Sequence, residues 1–261
     1  MLRYLRYAYA FWALACFCFF FVLMMPFFLL VMQKQRWHHY TGLVNRVWAR
    51  LVYFFMAMPI KIRYEAPLDK KRCYVFCANH NSYFDIPITG YAMPVFVRFM
   101  GKSSLTGVPL FGYMFRKLHI PVNRGSIKGS YRAFEKAKTC IDQGESILIF
   151  PEGGINEHTP PDLKRFKDGA FRMAIEKQVP VVPVTIPYNW IVLHDENLQM
   201  RWRPGLVQFH KPVETAGMSL QDVDKLKEQV REVIRSEMKR HFPEYFHAPA
   251  RAVTESSAEK P

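Results

Sequence analysis

Residues 73–87 read CYVFCANHNSYFDIP, and the organisation of the chain follows from them. The first six are apolar or aromatic and include the strand formers Tyr74, Val75 and Phe76. Asn79, His80, Asn81 and Ser82 come next, a run rich in the residue types that favour turns and helix caps. Pro87 is tolerated only near a helix start, so the helix that follows must begin late in the stretch. The stretch therefore predicts strand, loop and helix in succession.

The same alternation continues in both directions. Short apolar runs predict strands at 61–64, 73–78, 95–99, 118–122, 146–150, 181–186 and 206–211, with helices at 84–92, 106–117, 128–143 and 168–177. A last helix runs from Ser219 to about His241, opened by the capping box Ser219-Leu-Gln-Asp222. Its apolar stripe is Leu226, Val230, Val233 and Ile234, and Pro243 stops it. This pattern predicts an α/β domain over 61–247, a central mixed sheet covered by helices. The tail 248–261, polar and without periodicity, is expected to be disordered.

Residues 1–60 differ in kind. Tyr7 to Gln33 is 27 residues without a charge, about 40 Å as a helix against a hydrocarbon core of roughly 30 Å. Bulky Phe, Leu and Met run up to its basic flank, which does not fit a cleaved signal peptide. The segment is read as a hydrophobic helical membrane anchor, with Pro26 expected to kink it. In residues 42–60, Asn45, Arg46, Ala49 and Arg50 take one side of a helix and Leu43, Val47, Leu51, Phe54 and Phe55 the other. That helix fits the membrane interface, and it fits equally well packed on the globular domain.

Charge supports a lipid partner. The net charge is +14, and no acidic residue precedes Glu65, whereas eight basic ones do. Excess positive charge beside the most apolar segment points to anionic lipid. No base-reading motif accompanies it, so nucleic acid is not expected as a partner. Five Cys, two of them inside the apolar run, give no disulfide framework, and Cys73 and Cys77 have no companions for a zinc site. Nucleotide-binding glycine loops and the nucleophile elbow of serine hydrolases are missing from the sequence.

Chemistry gathers where strands end. With His80 in the loop and Asp85 in the first turn of the helix, the imidazole can fold back onto the carboxylate as a base with its orienter. The alternative is a capping Asp and an unrelated loop His. SILIFPEGGIN, residues 146–156, carries Glu152 to the same rim, followed by two glycines that admit a ligand close to the backbone. Of the basic patch Arg98, Lys102, Arg116, Lys117 and Arg124, Lys102 and Arg124 directly follow predicted strand ends.

Four blocks in order resemble the glycerolipid acyltransferases, in particular those acting on lysophosphatidate: NHNSYFD, residues 101–126, FPEGGIN and VPVVPVTI, with RFKDGAFRMA between the last two. The resemblance covers roughly 61–215. It implies His80 as the general base that activates the acceptor hydroxyl, and Asp85 as its orienter. It implies Lys102 and Arg124 as ligands of the acceptor phosphate, with Glu152 and Gly153 shaping the pocket. The donor would be an acyl-coenzyme A or acyl-carrier protein, the acceptor a lyso-lipid such as lysophosphatidate, and the product phosphatidate. No metal or redox cofactor is implied. Thioester donors are cytosolic, so the implied location is the inner or cell membrane, catalytic domain on the cytoplasmic side. The chain departs from the family at Gly154-Ile155-Asn156, where Thr-Arg-Ser is usual; the missing arginine weighs against lysophosphatidate and leaves other lysophospholipids and amino-lipid precursors open. A lipid-surface binding protein that keeps the scaffold is the rival of another class, yet His80, Asp85 and Glu152 are all present.

Overall fold

The structure, a computed structural model, describes residues 1–156, 159–193 and 199–246. The tail expected to be disordered lies outside the described residues. Among the described residues, seven strands form one sheet: β1 (Ile60–Tyr64), β2 (Val75–Ala78), β3 (Val97–Lys102), β4 (Ile120–Val122), β5 (Ser146–Ile149), β6 (Val181–Thr185) and β7 (Gly205–Phe209), in the order β1-β7-β6-β2-β5-β3-β4. Every neighbouring pair is parallel except β6 and β7, so the sheet is mixed as expected. The ends Ala78, Ile149, Lys102, Val122 and Thr185 consequently share one rim, where open α/β sheets place their sites.

The central strands carry apolar residues in continuous runs because both faces are covered. Phe76, Ala78, Leu148, Val182 and Val184 face one cluster, Val75, Cys77, Ile147 and Val181 the other. Helices α5 (Ile127–Asp142), α6 (Gly169–Glu176) and α8 (Val223–His241) cover the second face. Leu226, Val230 and Ile234 of α8 are fully buried there, and Val233 is half-buried at the margin. The capping box at Ser219 and Asp222 is present. Pro243 ends α8 and starts the short α9 (Pro243–Phe246).

The first face is covered by α1 (Leu2–Val31), α2 (Thr41–Phe55) and α3 (Asp85–Ala92). Among the described residues, α1 is the one helix long and apolar enough to cross a membrane. Pro26 does not break it. α1 packs against α2 as an antiparallel pair: Tyr9 donates to the carbonyl of Met56 (2.8 Å) and the Trp12 indole to that of Phe55 (2.9 Å). Those carbonyls close α2 and would otherwise lack partners. Trp48 of α2 lies between Phe17 and Phe21 of α1, with centroids 4.9 and 6.0 Å away. Both readings of α2 are accommodated by different residues. Val44, Trp48, Ala49, Val52 and Tyr53 are buried, while Leu43, Val47, Phe54 and Phe55 are exposed. One continuous apolar cluster thus runs from Ala13 of α1 to Phe209 of β7.

Between β3 and β4 the chain forms a 3-10 turn (Ser103–Gly107) and then α4 (Phe111–Leu118), where one helix was expected over 106–117. Pro109 and the left-handed Leu110 (φ 59°) divide the two. Gly112 makes their close contact: a Cβ there would lie 2.2 Å from the carbonyl oxygen of Thr106. Backbone must move to admit even a methyl group, so Gly112→Ala is expected to cost about 1–3 kcal/mol. Thermal unfolding in detergent checks this, and an unchanged Tm would show that the turn yields freely.

Candidate active site

The loop from Asn79 to Phe84 sits at the rim because its polar side chains replace backbone pairing beyond the end of β2. The Asn79 amide bonds both the N–H (2.7 Å) and the carbonyl (3.0 Å) of Ile186, which extends the β2–β6 pairing by one step. Ser82 Oγ donates to the Leu193 carbonyl (2.9 Å) and accepts from Phe84 N (3.1 Å). α3 then begins at Asp85, late as Pro87 requires, so the carboxylate stands in the first helical turn.

His80 Nδ1 lies 3.0 Å from Asp85 Oδ2. The same oxygen accepts from the backbone N–H of Asn81 (2.7 Å) and Ser82 (2.9 Å), and Oδ1 accepts from the Asn189 side-chain amide (2.8 Å). Asp85 is completely buried, where an anion is tolerated only when its oxygens are satisfied in this way. The Phe150 ring stacks on the imidazole at 4.1 Å and fixes its plane. With Nδ1 directed at the carboxylate, Nε2 is left to accept a proton; it has no hydrogen bond among the described residues.

Glu152 reaches the same loop from β5. Its Oε1 accepts from His80 N (2.7 Å) and its Oε2 from Lys164 N (2.9 Å), while Asn156 N donates to the His80 carbonyl (2.8 Å). The carboxyl thus braces the His80 loop against the 162–167 segment and has no oxygen turned freely to a ligand. Burial pushes it up to about 7, against the two N–H donors that draw it down. Gly153 follows in the left-handed region (φ 75°), and its carbonyl accepts from Arg124 Nη1 at 2.5 Å.

Six residues singled out by sequence are therefore placed as follows. His80, Asp85, Glu152, Gly153 and Arg124 form one connected cluster. Lys102 ends β3 at the same rim, in register with Val122, but no hydrogen bond or ion pair ties it to the cluster among the described residues. Arg98, from the same basic patch, is buried and paired with Glu145 at 2.5 and 2.6 Å, a structural ion pair. Asn189, Asn79 and Phe150 were not anticipated. Asn189 opens the four-residue helix α7 (Asn189–Val192) after β6, a segment with no periodicity or motif to single it out. Residues able to hold a metal ion do not cluster among those described.

Residues 59–187 match the family model described as Acyltransferase. The chain is 27% identical over 189 residues to a 1-acyl-sn-glycerol-3-phosphate acyltransferase of Haemophilus influenzae, covering 70% of this chain and 75% of that protein. It is 28% identical over 164 residues to a chloroplast 1-acyl-sn-glycerol-3-phosphate acyltransferase of Brassica napus, covering 62% and 46%. An uncharacterized acyltransferase of Schizosaccharomyces pombe is 29% identical over 168 residues, covering 64% and 60%. The chain thus spans about half the length of several relatives that it matches. In fold it is similar to the crystal structure of PlsC, a 1-acyl-sn-glycerophosphate acyltransferase from Thermotoga maritima. The TM-score is 0.73 at 20% identity, covering 95% of this chain and 98% of that one.

Two variants test the cluster. Asn189→Ala leaves Asp85 Oδ1 buried without its donor and is expected to cost about 1–3 kcal/mol. Asn189→Asp places a second carboxylate there and should lower Tm further; a Tm equal to wild type would remove the contact from the account. For Glu152, the folded-state value of about 7 lies above the ordinary 4.5, so the folded protein holds this proton more tightly. Its stabilising effect is complete below pH 4.5 and is lost as pH rises to about 7. The Tm of wild type relative to Glu152→Gln should fall across that window, and a constant difference would contradict the assignment.

Proposed function

Because the chain belongs to the acyltransferase family through residues 59–187, we propose that it moves a fatty acyl group from a thioester donor to the hydroxyl of a lyso-lipid. The single observation that carries this is His80, held by Asp85 through Nδ1 and by the Phe150 ring, with Nε2 left to take a proton at the rim. The acceptor proposed first is lysophosphatidate, giving phosphatidate. Relatives named for that substrate support it.

In this mechanism Nε2 removes the proton from the acceptor hydroxyl as its oxygen attacks the thioester carbonyl. Asp85 receives the Nδ1–H and stabilises the imidazolium that forms. The tetrahedral intermediate collapses, the C–S bond breaks, and the Nε2 proton passes to the departing thiolate. An ester and a free thiol result, with no acyl-enzyme and no redox change. Glu152 and Gly153 set the position of the His80 loop and the turn beside it, and Arg124 and Lys102 supply fixed positive charge for an acceptor phosphate. Coenzyme A and acyl-carrier protein thioesters both fit this chemistry as donors.

The same reading gives the N-terminal helices a task. The free face of α1, with Phe11, Leu14, Phe19, Leu23, Phe27 and Leu30 exposed, is the surface for lipid. Tyr53 of α2 packs edge-on against Phe84 (5.7 Å), next to Asp85. The helix pair that offers this surface is thus packed to within one residue of the orienting carboxylate. The domain is assigned to the cytoplasmic face, where thioester donors are made.

Membranes carrying the protein, incubated with a labelled acyl thioester and lysophosphatidate beside other lyso-lipids, test the proposal. Label should appear in phosphatidate and fall at least about 10³-fold in His80→Ala. Label appearing only in another lipid would replace the acceptor. No label with any acceptor would leave a lipid-surface binding protein.

A further inference from the structure

Three cations converge on the turn after β5. Arg124 Nη1 donates to the Gly153 carbonyl at 2.5 Å, and Lys164 Nζ donates to the Ile155 carbonyl at 2.5 Å. Lys167 reaches over the same turn: a Cβ on Gly153 would lie 2.6 Å from its Cε and 2.8 Å from its Nζ. The missing side chain of Gly153 is therefore the seat of the Lys167 ammonium, and a Cβ on Gly154 would lie 3.8 Å from Arg124 Nη1. The main chain of Lys167 is fixed there by its N–H to the Pro151 carbonyl (2.9 Å).

The three differ in what they have left to give. Among the described residues, Lys164 has one of its three N–H groups on a backbone carbonyl and Arg124 one of its five. Lys167 Nζ makes no hydrogen bond or ion pair among the described residues. The Glu152 carboxyl beside the turn is buried, with both oxygens taken by backbone N–H groups, and makes no ion pair with the three cations. Gly153 N is used within the turn, bonded to the Phe150 carbonyl at 3.0 Å, so side chains and not this amide must meet a ligand. Like charges gathered around two glycines repel one another until an anion lies between them.

We propose that Lys167, seated on Gly153 at the turn that Arg124 also meets, is the residue that selects a terminal phosphomonoester in the acceptor. This rests on the acyl-transfer reading above. The turn is one residue beyond the Phe150–His80 stack, and Glu152 ties it to His80 N, so a phosphate held there stands close to a hydroxyl delivered to Nε2. An ammonium and a guanidinium at one turn match the two charges of a phosphomonoester. A choline phosphodiester has one negative charge and brings a cation of its own to the cluster.

The test uses the full chain in detergent, with lysophosphatidate and lysophosphatidylcholine as parallel acceptors. Lys167→Met keeps the stem on Gly153 and removes the charge. It should raise KM for lysophosphatidate about tenfold or more with kcat within about twofold, and leave KM for lysophosphatidylcholine unchanged. Lys167→Arg should restore most of the loss. An unchanged KM, or an equal rise with both acceptors, would overturn the assignment. Calorimetric titration with glycerol 3-phosphate separates this proposal from the reaction itself, because it reads the site without turnover. Weaker binding in Lys167→Met, found in a protein that transfers no acyl group, would sink the acyl-transfer reading and keep the anion site. Equal binding in the two proteins, or none in wild type, would sink the anion site whatever the activity.

Discussion

A buried carboxylate with four hydrogen-bond donors organises this molecule. Asp85 has no contact with water, so each of its oxygens must be satisfied from inside. Two donors are backbone N–H groups of its own loop, one is the His80 imidazole, and one is the Asn189 amide on the far side of β6. Meeting that demand folds the loop back over the start of α3 and brings the end of β6 against the end of β2. The Asn79 pairing with Ile186 spans the same two strands one step earlier. Loop shape and imidazole orientation are thus two results of one requirement.

Glu152 does for the next strand what Asp85 does for its own. Its two oxygens take N–H groups from residues 80 and 164, so the turn after β5 cannot move independently of the His80 loop. That bracing holds the cation-rich turn at a set place relative to the His80 imidazole. The cost is a carboxyl in a poorly solvated position, which is why its proton affinity is raised toward neutrality.

The apolar N-terminal helices are built into the same core. α1 and α2 share one apolar cluster with the sheet, and the Tyr9 and Trp12 hydrogen bonds close α2 with side chains from α1. From Ala13 onward one side of α1 is consequently taken up by this packing, although its composition is apolar all round. The Tyr53–Phe84 contact carries this packing to within one residue of Asp85.

The sequence by itself determined the alternation of strand and helix, the late start of α3 forced by Pro87, and the placing of His80 in a loop five residues before Asp85. These are local matters of periodicity, proline sterics and capping, which are written in neighbouring residues. It also brought Arg124, Glu152 and Gly153 to the correct rim, because a parallel sheet sends the ends of its strands to one side. Tertiary structure alone decided which polar groups complete the site. Asn189 lies 104 residues from Asp85, and nothing near it in the chain marks it. Equally, Arg98 and Arg124 belong to one basic patch in sequence, and only the fold gives them their partners: one is buried on Glu145 and the other turned to Gly153. A side chain's hydrogen-bond partner is set by what the fold places within about 3 Å of it, and that distance is not recorded along the chain.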